Sequence, residues 1–169
     1  MEELCKTIKT HVDAFAGEAD PFDDITMLAV KLTPRAEAAV MAVVPSMDSV
    51  APVAAFLEEQ LDRLDVPMRK AVKLKIALDE IYSNIVRYSG ADHAQVECLA
   101  EDGMLSLVFR DNGKPYNPLD AEEPDITAAA EDRAIGGLGI LMVRKMMDKM
   151  DYMYKDGQNI LTLWMSLEG

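Results

Sequence analysis

The sequence predicts an α/β chain of the α+β kind, and three observations predict it. First, the stretch KLKIALDEIYSNIVRYSG, Lys73 to Gly90, repeats Leu74, Leu78, Ile81, Ile85 and Tyr88 at steps of four and three, the period of a helix with one buried stripe. Second, the pattern changes after Gly90: HAQVECLAE and MLSLVFR read as strands joined at EDG, an antiparallel hairpin over residues 93 to 110. Third, 50% of the 169 residues are hydrophobic, enough for the core of one domain with an appendage.

In chain order, a helix is expected from about Glu2 to Phe15, then the breaker-rich GEADPFDD, a strand ITMLAVKL and a linker TPRAE. The apolar, β-branched run from Ala36 to Pro45 predicts a strand that the proline ends. Ser46 or Asp48 can cap a helix from about Val50 to Leu64, with Val53, Phe56, Leu57, Leu61 and Leu64 facing inward. The turn DVP leads to the next helix, starting near Met68 and running to Gly90. Past the hairpin comes the loop DNGKPYNP. From Leu119 to Ile135 the chain is acidic and alanine-rich without clear period, the mark of a functional lid or a disordered segment. Gly136, Gly137 and Gly139 precede and begin an apolar helix of about a dozen residues, in which Met142, Met146 and Met147 are expected to fill the core together with Met150 and Met153 beyond it. Two strands around a D-G-Q-N turn close the chain, and Thr162 lies on the last.

Composition excludes several function classes. The net charge of -13, with basic residues scattered among more acids, argues against nucleic acid. Cys5 and Cys98 are too few for a disulfide framework or a zinc site, and His11 and His93 lack ligands at metal spacing. No apolar run reaches the ~18 residues of a membrane span, and no signal peptide pattern opens the chain, so a cytoplasmic protein without membrane attachment is expected.

Three stretches carry chemistry. Glu80, Asn84 and Arg87 are four and three apart, so a carboxylate, a carboxamide and a guanidinium share one face of the expected helix. Asp111 stands just past an apolar strand, with Gly113 two residues on in a turn that tolerates unusual dihedrals. An aspartate so placed can accept a hydrogen bond from the exocyclic amine of a base. Gly137 and Gly139 open a helix whose unobstructed backbone amides and dipole favour an anion. Each also has an ordinary reading: a solvated helix face, a surface turn, and glycine used for clearance between a helix and a sheet.

Their order is more specific than any part. E-x-x-x-N on a helix, D-x-G-x-P after a hairpin, a lid, and G-G-x-G opening a helix resemble the GHKL ATPase superfamily. Within it, ALDEIYSNIVRYSG, DNGKPYNP and GGLGILMVRKMMDKMDY look like the anti-sigma-factor serine kinases of bacterial partner switching, over roughly residues 36 to 167. The resemblance implies a two-layer sandwich of the Bergerat type, with a mixed sheet, helices on one face, and ATP between the helices and the lid. It implies Glu80 as general base toward a serine hydroxyl, Asn84 as the magnesium ligand, and Asp111 as acceptor of the adenine amine. Gly113, Gly137 and Gly139 would allow close backbone approach to the nucleotide, and Thr162 would support the adenine from the sheet.

A carboxylate at position 80 with Arg87 three residues after Asn84 departs from sensor histidine kinases and topoisomerase-like members. That favours phosphoryl transfer to a hydroxyl, with Arg87 near the phosphates. Asp79 competes as base but lies about 100° around the helix from Glu80. Where the serine kinases commonly carry alanine and histidine after the asparagine, this chain has Ile85 and Tyr88, and Ile85 is expected to crowd the nucleotide. The acidic lid residues Glu122, Glu123, Asp125, Glu131 and Asp132 are expected to repel polyphosphate unless magnesium or Arg133 offsets them.

By the same route, PFDDITMLAVKL resembles the C-terminal end of bacterial metal-dependent serine phosphatases of the PPM type, with Asp23 or Asp24 as the former metal ligand. Residues 1 to 33 are then a phosphatase tail without activity, since one carboxylate cannot hold a two-metal site, and residues 36 to 169 form the kinase domain. The function implied is an ATP- and magnesium-dependent serine kinase that phosphorylates a small antagonist protein and sequesters a sigma factor, with a homodimer as a further possibility. The alternative is a non-catalytic, nucleotide-gated regulatory module that controls an attached phosphatase domain or a sigma factor.

Overall fold

The computed structural model describes residues 2–17, 37–120 and 137–168. The chain divides into two compact units, 1–35 and 36–169.

Of the first unit, helix α1, Glu2–Ala16, is described. Leu4, Ile8 and Val12 recur at four-residue steps and all are exposed, as is Phe15. Lys9 and Asp13 pair across one turn at 2.7 Å, a surface contact worth a few tenths of a kcal/mol, about 0.3–0.5. The strand expected over ITMLAVKL, with Asp23 and Asp24, lies outside the described residues.

The second unit has two layers. Strands β1 (Ala39–Val43), β2 (Ala94–Glu101), β3 (Met104–Asp111), β4 (Lys149–Lys155) and β5 (Gln158–Ser166) form one sheet in the order β1-β2-β3-β5-β4. Helices α2 (Met47–Arg63), α3 (Met68–Asn84) and α4 (Gly137–Met146) cover one face. Strict alternation makes that face: Val96 and Cys98 on β2, Leu105, Leu107 and Phe109 on β3, and Leu161, Leu163 and Met165 on β5 are all buried. They meet Val53, Leu57 and Leu61 of α2, Leu74, Leu78 and Ile81 of α3, and Ile140 and Val143 of α4 in one core. Each such side chain contributes roughly 1.5–3 kcal/mol by leaving water.

The resemblance implies a mixed sheet; the described strands pair antiparallel throughout. Topology explains it. The crossover containing α4 leaves β3 and β4 running the same way, and β5 inserts between them as the antiparallel partner of both. Two-residue Asp-Gly turns close both hairpins, Asp102–Gly103 (φ 51° and 75°) and Asp156–Gly157 (φ 53° and 78°), the primed geometry that matches strand twist. The second turn is therefore shorter than the expected D-G-Q-N, and Gln158 and Asn159 belong to β5.

Helix α2 starts at Met47, before the expected Val50, and keeps Pro52 inside it. Ser46 is its N-cap, and the Ser49 hydroxyl accepts from the Ser46 N–H at 3.0 Å and donates to the Ser46 carbonyl at 2.8 Å. Tyr82, buried on α3, donates its hydroxyl to Ser49 Oγ at 2.7 Å, so the cap of one helix anchors the next.

Candidate functional site

Helix α3 brings the first two site residues to one row. Glu80 and Asn84 stand one turn apart and both are half-buried. Past Asn84 the helix widens into a π-helical turn, Ile85–Ser89, that ends at Gly90 in the left-handed region (φ 67°). A wider turn rotates each residue through a smaller angle than an α-helix does, which corrects one expectation. Tyr88 lags out of the buried stripe and is 59% exposed; Arg87 is also exposed. Ile85 is buried and belongs to the same core as Ile81 and Leu78, in line with the stripe its spacing predicts.

Glu80 reaches α4. A Cβ placed on Gly139 would lie 1.9 Å from Glu80 Oε2 and 2.5 Å from its Cδ, so the carboxylate rests directly against the backbone of the first turn of α4. That turn holds no acidic residue of its own, and a carboxylate is favoured at a helix N-terminus. Gly137 opens the same helix; Gly136 and the acidic residues expected to form a lid lie outside the described residues. Asp79, the competing base, faces the opposite flank of α3. It lines a groove of about 250 Å³ between α2 and α3 with Ala51, Ala54, Glu58 and Lys75.

Strands build the other end of the site. Asp111 closes β3, is 6% exposed, and accepts the Gly113 N–H at 2.9 Å through Oδ1. Gly113 is needed for space: a Cβ there would come within 2.5 Å of the Ser89 carbonyl oxygen and 2.7 Å of Ser89 Cβ. The same carbonyl accepts the Lys114 N–H at 2.9 Å, which ties the Asp111 loop to the end of the π-helical turn after Asn84. Asn112 fastens the loop from outside, its Oδ1 accepting the N–H groups of Asp92 and His93 at 3.2 and 3.0 Å.

Thr162 is not brought to this end. It pairs with Val108 and Asp151 on the sheet face opposite the helices. The residue in register with Asp111 on the helix side is Asn159, 6% exposed, whose Nδ2 donates to Asp111 Oδ1 at 3.1 Å. Sequence reasoning missed it by placing it in a turn. The available signal was parity, since Asn159 shares the phase of Leu161, Leu163 and Met165 and is thus a polar residue in a core position of a strand.

The carboxamide oxygen of Asn84 is a hard ligand of the kind magnesium takes when phosphate oxygens and waters complete its shell. Among the described residues, no group of three or more acidic, histidine or cysteine side chains forms a metal cage of its own, and no helix is long and apolar enough to cross a membrane.

Residues 43–165 match the family model of the histidine kinase-like ATPase domain. The chain is 31% identical over 96 residues to the serine/threonine-protein kinase BtrW of Bordetella bronchiseptica, a match spanning 53% of this chain and 66% of that one. Its fold is like that of the RsbU and RsbW domains of Rv1364c from Mycobacterium tuberculosis (TM-score 0.55, 17% identity), covering 77% of this chain and 32% of the solved one.

Proposed function

Because the chain belongs to the histidine kinase-like ATPase domain family, we propose that it is an ATP-dependent protein serine kinase of a partner-switching system, acting on a small antagonist protein and serving as an anti-sigma-factor module. The observation that carries this reading is the contact between the Glu80 carboxylate and the Gly139 backbone, with Asn84 one turn away. It supports a base, a metal ligand and a helix N-terminus converging where a γ-phosphate would lie. The likeness to a relative named as a serine/threonine kinase points the same way.

In this reading Asp111 accepts a hydrogen bond from the adenine amine, and Gly113 lets the loop sit close beside the base. The triphosphate runs toward the α4 N-terminus, where the amides around Gly137 and Gly139 receive it. Asn84 would hold magnesium, which when bound neutralises phosphate charge. A serine oxygen of the partner attacks the γ-phosphorus, the bond to the ADP oxygen breaks, and Glu80 takes the serine proton. Arg87, exposed just past Asn84, would stand near the phosphates.

Residues 1–33 are read as the tail of a PPM-type phosphatase domain and residues 36–169 as the kinase. The test is a paired measurement of MgATP binding and of γ-phosphoryl transfer to serine on the antagonist protein. Glu80→Ala is expected to keep binding and lose most transfer; transfer left intact in that variant contradicts the assignment of the base.

A further inference from the structure

Asn159 is saturated with hydrogen bonds. Its Nδ2 donates to Asp111 Oδ1 at 3.1 Å and to the Lys114 carbonyl at 3.0 Å, with the Gly113 carbonyl at 3.5 Å. Its Oδ1 accepts the Tyr116 N–H at 3.1 Å and the Tyr152 hydroxyl at 2.7 Å. A carboxamide has two hydrogens to give and two lone pairs to receive, so all four are spent inside the protein. The amide has one orientation only: turned over, its oxygen would face a carboxylate and two carbonyls, and its NH2 would face two donors.

Tyr152 sits on β4 across from Leu161. Burial, with the neighbouring Asp111 charge among the lesser causes, raises its phenol above the ordinary tyrosine range, so it stays a donor. The two N–H groups from Asn159 and Gly113 both end on Asp111 Oδ1. Among the described residues nothing claims Oδ2, which is left as the acceptor.

We propose that Asn159, held by Tyr152, is the positioning residue that sets nucleobase choice: by fixing the Asp111 carboxylate it leaves Oδ2 to receive the amine of a 6-aminopurine. This rests on the ATP-site reading above. Asn159 acts through Asp111 and touches no ligand itself, since it has no polar capacity left for one.

The test compares the affinities of ATP and purine riboside triphosphate, which lacks the 6-amino group and is otherwise identical, for the full chain by calorimetry. The wild type should favour ATP on the order of tenfold, the size of one hydrogen bond to a charged acceptor. Asn159→Ala should bring that ratio close to one while the affinity for purine riboside triphosphate stays near the wild-type value. Asn159→Thr, which can return a single donor to Asp111, should recover part of the preference. Tyr152→Phe, which leaves the fold's core side chains in place, should lower the ratio by a smaller factor and covers the case in which Asn159→Ala does not fold. A merely structural role predicts that both nucleotides weaken together at constant ratio, and that result overturns the inference. If the wild type binds neither nucleotide, the ATP reading itself falls and this inference with it; if the wild type prefers ATP and all variants keep the preference, the inference alone fails.

Discussion

At the Asp111 end of the site a carboxylate 6% exposed is gripped by two donors and backed by a saturated asparagine, whereas at the Glu80 end a half-buried carboxylate rests on a glycine of another helix. The first end is made by strands in register and a loop pinned to the turn after Asn84; the second by side chains of one helix meeting the start of another. A base-recognition element gains from being fixed before the ligand arrives. A proton acceptor has to adjust to the hydroxyl it serves, and apo geometry at such a group commonly tightens only in the complex. The two ends should therefore fail differently when altered.

The largest effect is expected at the Glu80 end. Glu80→Gln should lower transfer by about 10²–10⁴, the usual worth of a general base, with MgATP affinity nearly unchanged; a loss of affinity of the same size would show that the two ends are not separable. Gly139→Ala puts a Cβ 1.9 Å from Glu80 Oε2. The carboxylate can swing away, so thermal stability should barely change while transfer falls by about 10², the cost of misplacing a reacting group by an ångström.

Gly113→Ala is the counterpart at the rigid end. Its Cβ meets the Ser89 backbone oxygen at 2.5 Å, which cannot swing, so a loss of about 1–3 kcal/mol in denaturant unfolding is expected together with weaker nucleotide binding. If Gly113→Ala were as stable as wild type, the loop would not be fixed against Ser89. Tyr152→Phe should cost about 0.5–1.5 kcal/mol, one hydrogen bond. Cys98 belongs to neither end, and its effect shows only at high pH. Burial is the main cause that pushes its thiol from 9.0 up to about 11. A raised folded value means its contribution to stability is whole below pH 9 and is lost as the pH rises toward 11. The difference in unfolding midpoint between wild type and Cys98→Val should shift across that window and be constant below it.

The sequence made the site legible where spacing alone determines geometry. Glu80 and Asn84 share a row because four residues in an α-helix always do, Asp111 lies at a strand end because the alternation stops there, and Gly139 opens the helix that glycine clustering marks. It failed where geometry depends on a register or a hydrogen-bond pattern that periodicity does not encode. A π-helical turn has the residues of an α-helix but a different phase, so Tyr88 falls outside the buried stripe that its spacing predicts. Reading D-G-Q-N as a turn cost Asn159, and Thr162 was put forward although it is out of phase with Leu161 and Leu163. The antiparallel order of the sheet follows from β5 inserting beside β3, a long-range pairing that no local pattern announces.

The central claim is that one nucleotide spans both ends, its base at Asp111 and its phosphates at Glu80 and Gly139. Calorimetric titration of wild type, Asp111→Asn and Glu80→Gln with millimolar MgATP tests it most directly. The expected result is binding by wild type and by Glu80→Gln with similar affinity, and a large loss in Asp111→Asn. No heat and no thermal shift in the wild type, or binding by Asp111→Asn equal to the wild type, would contradict it.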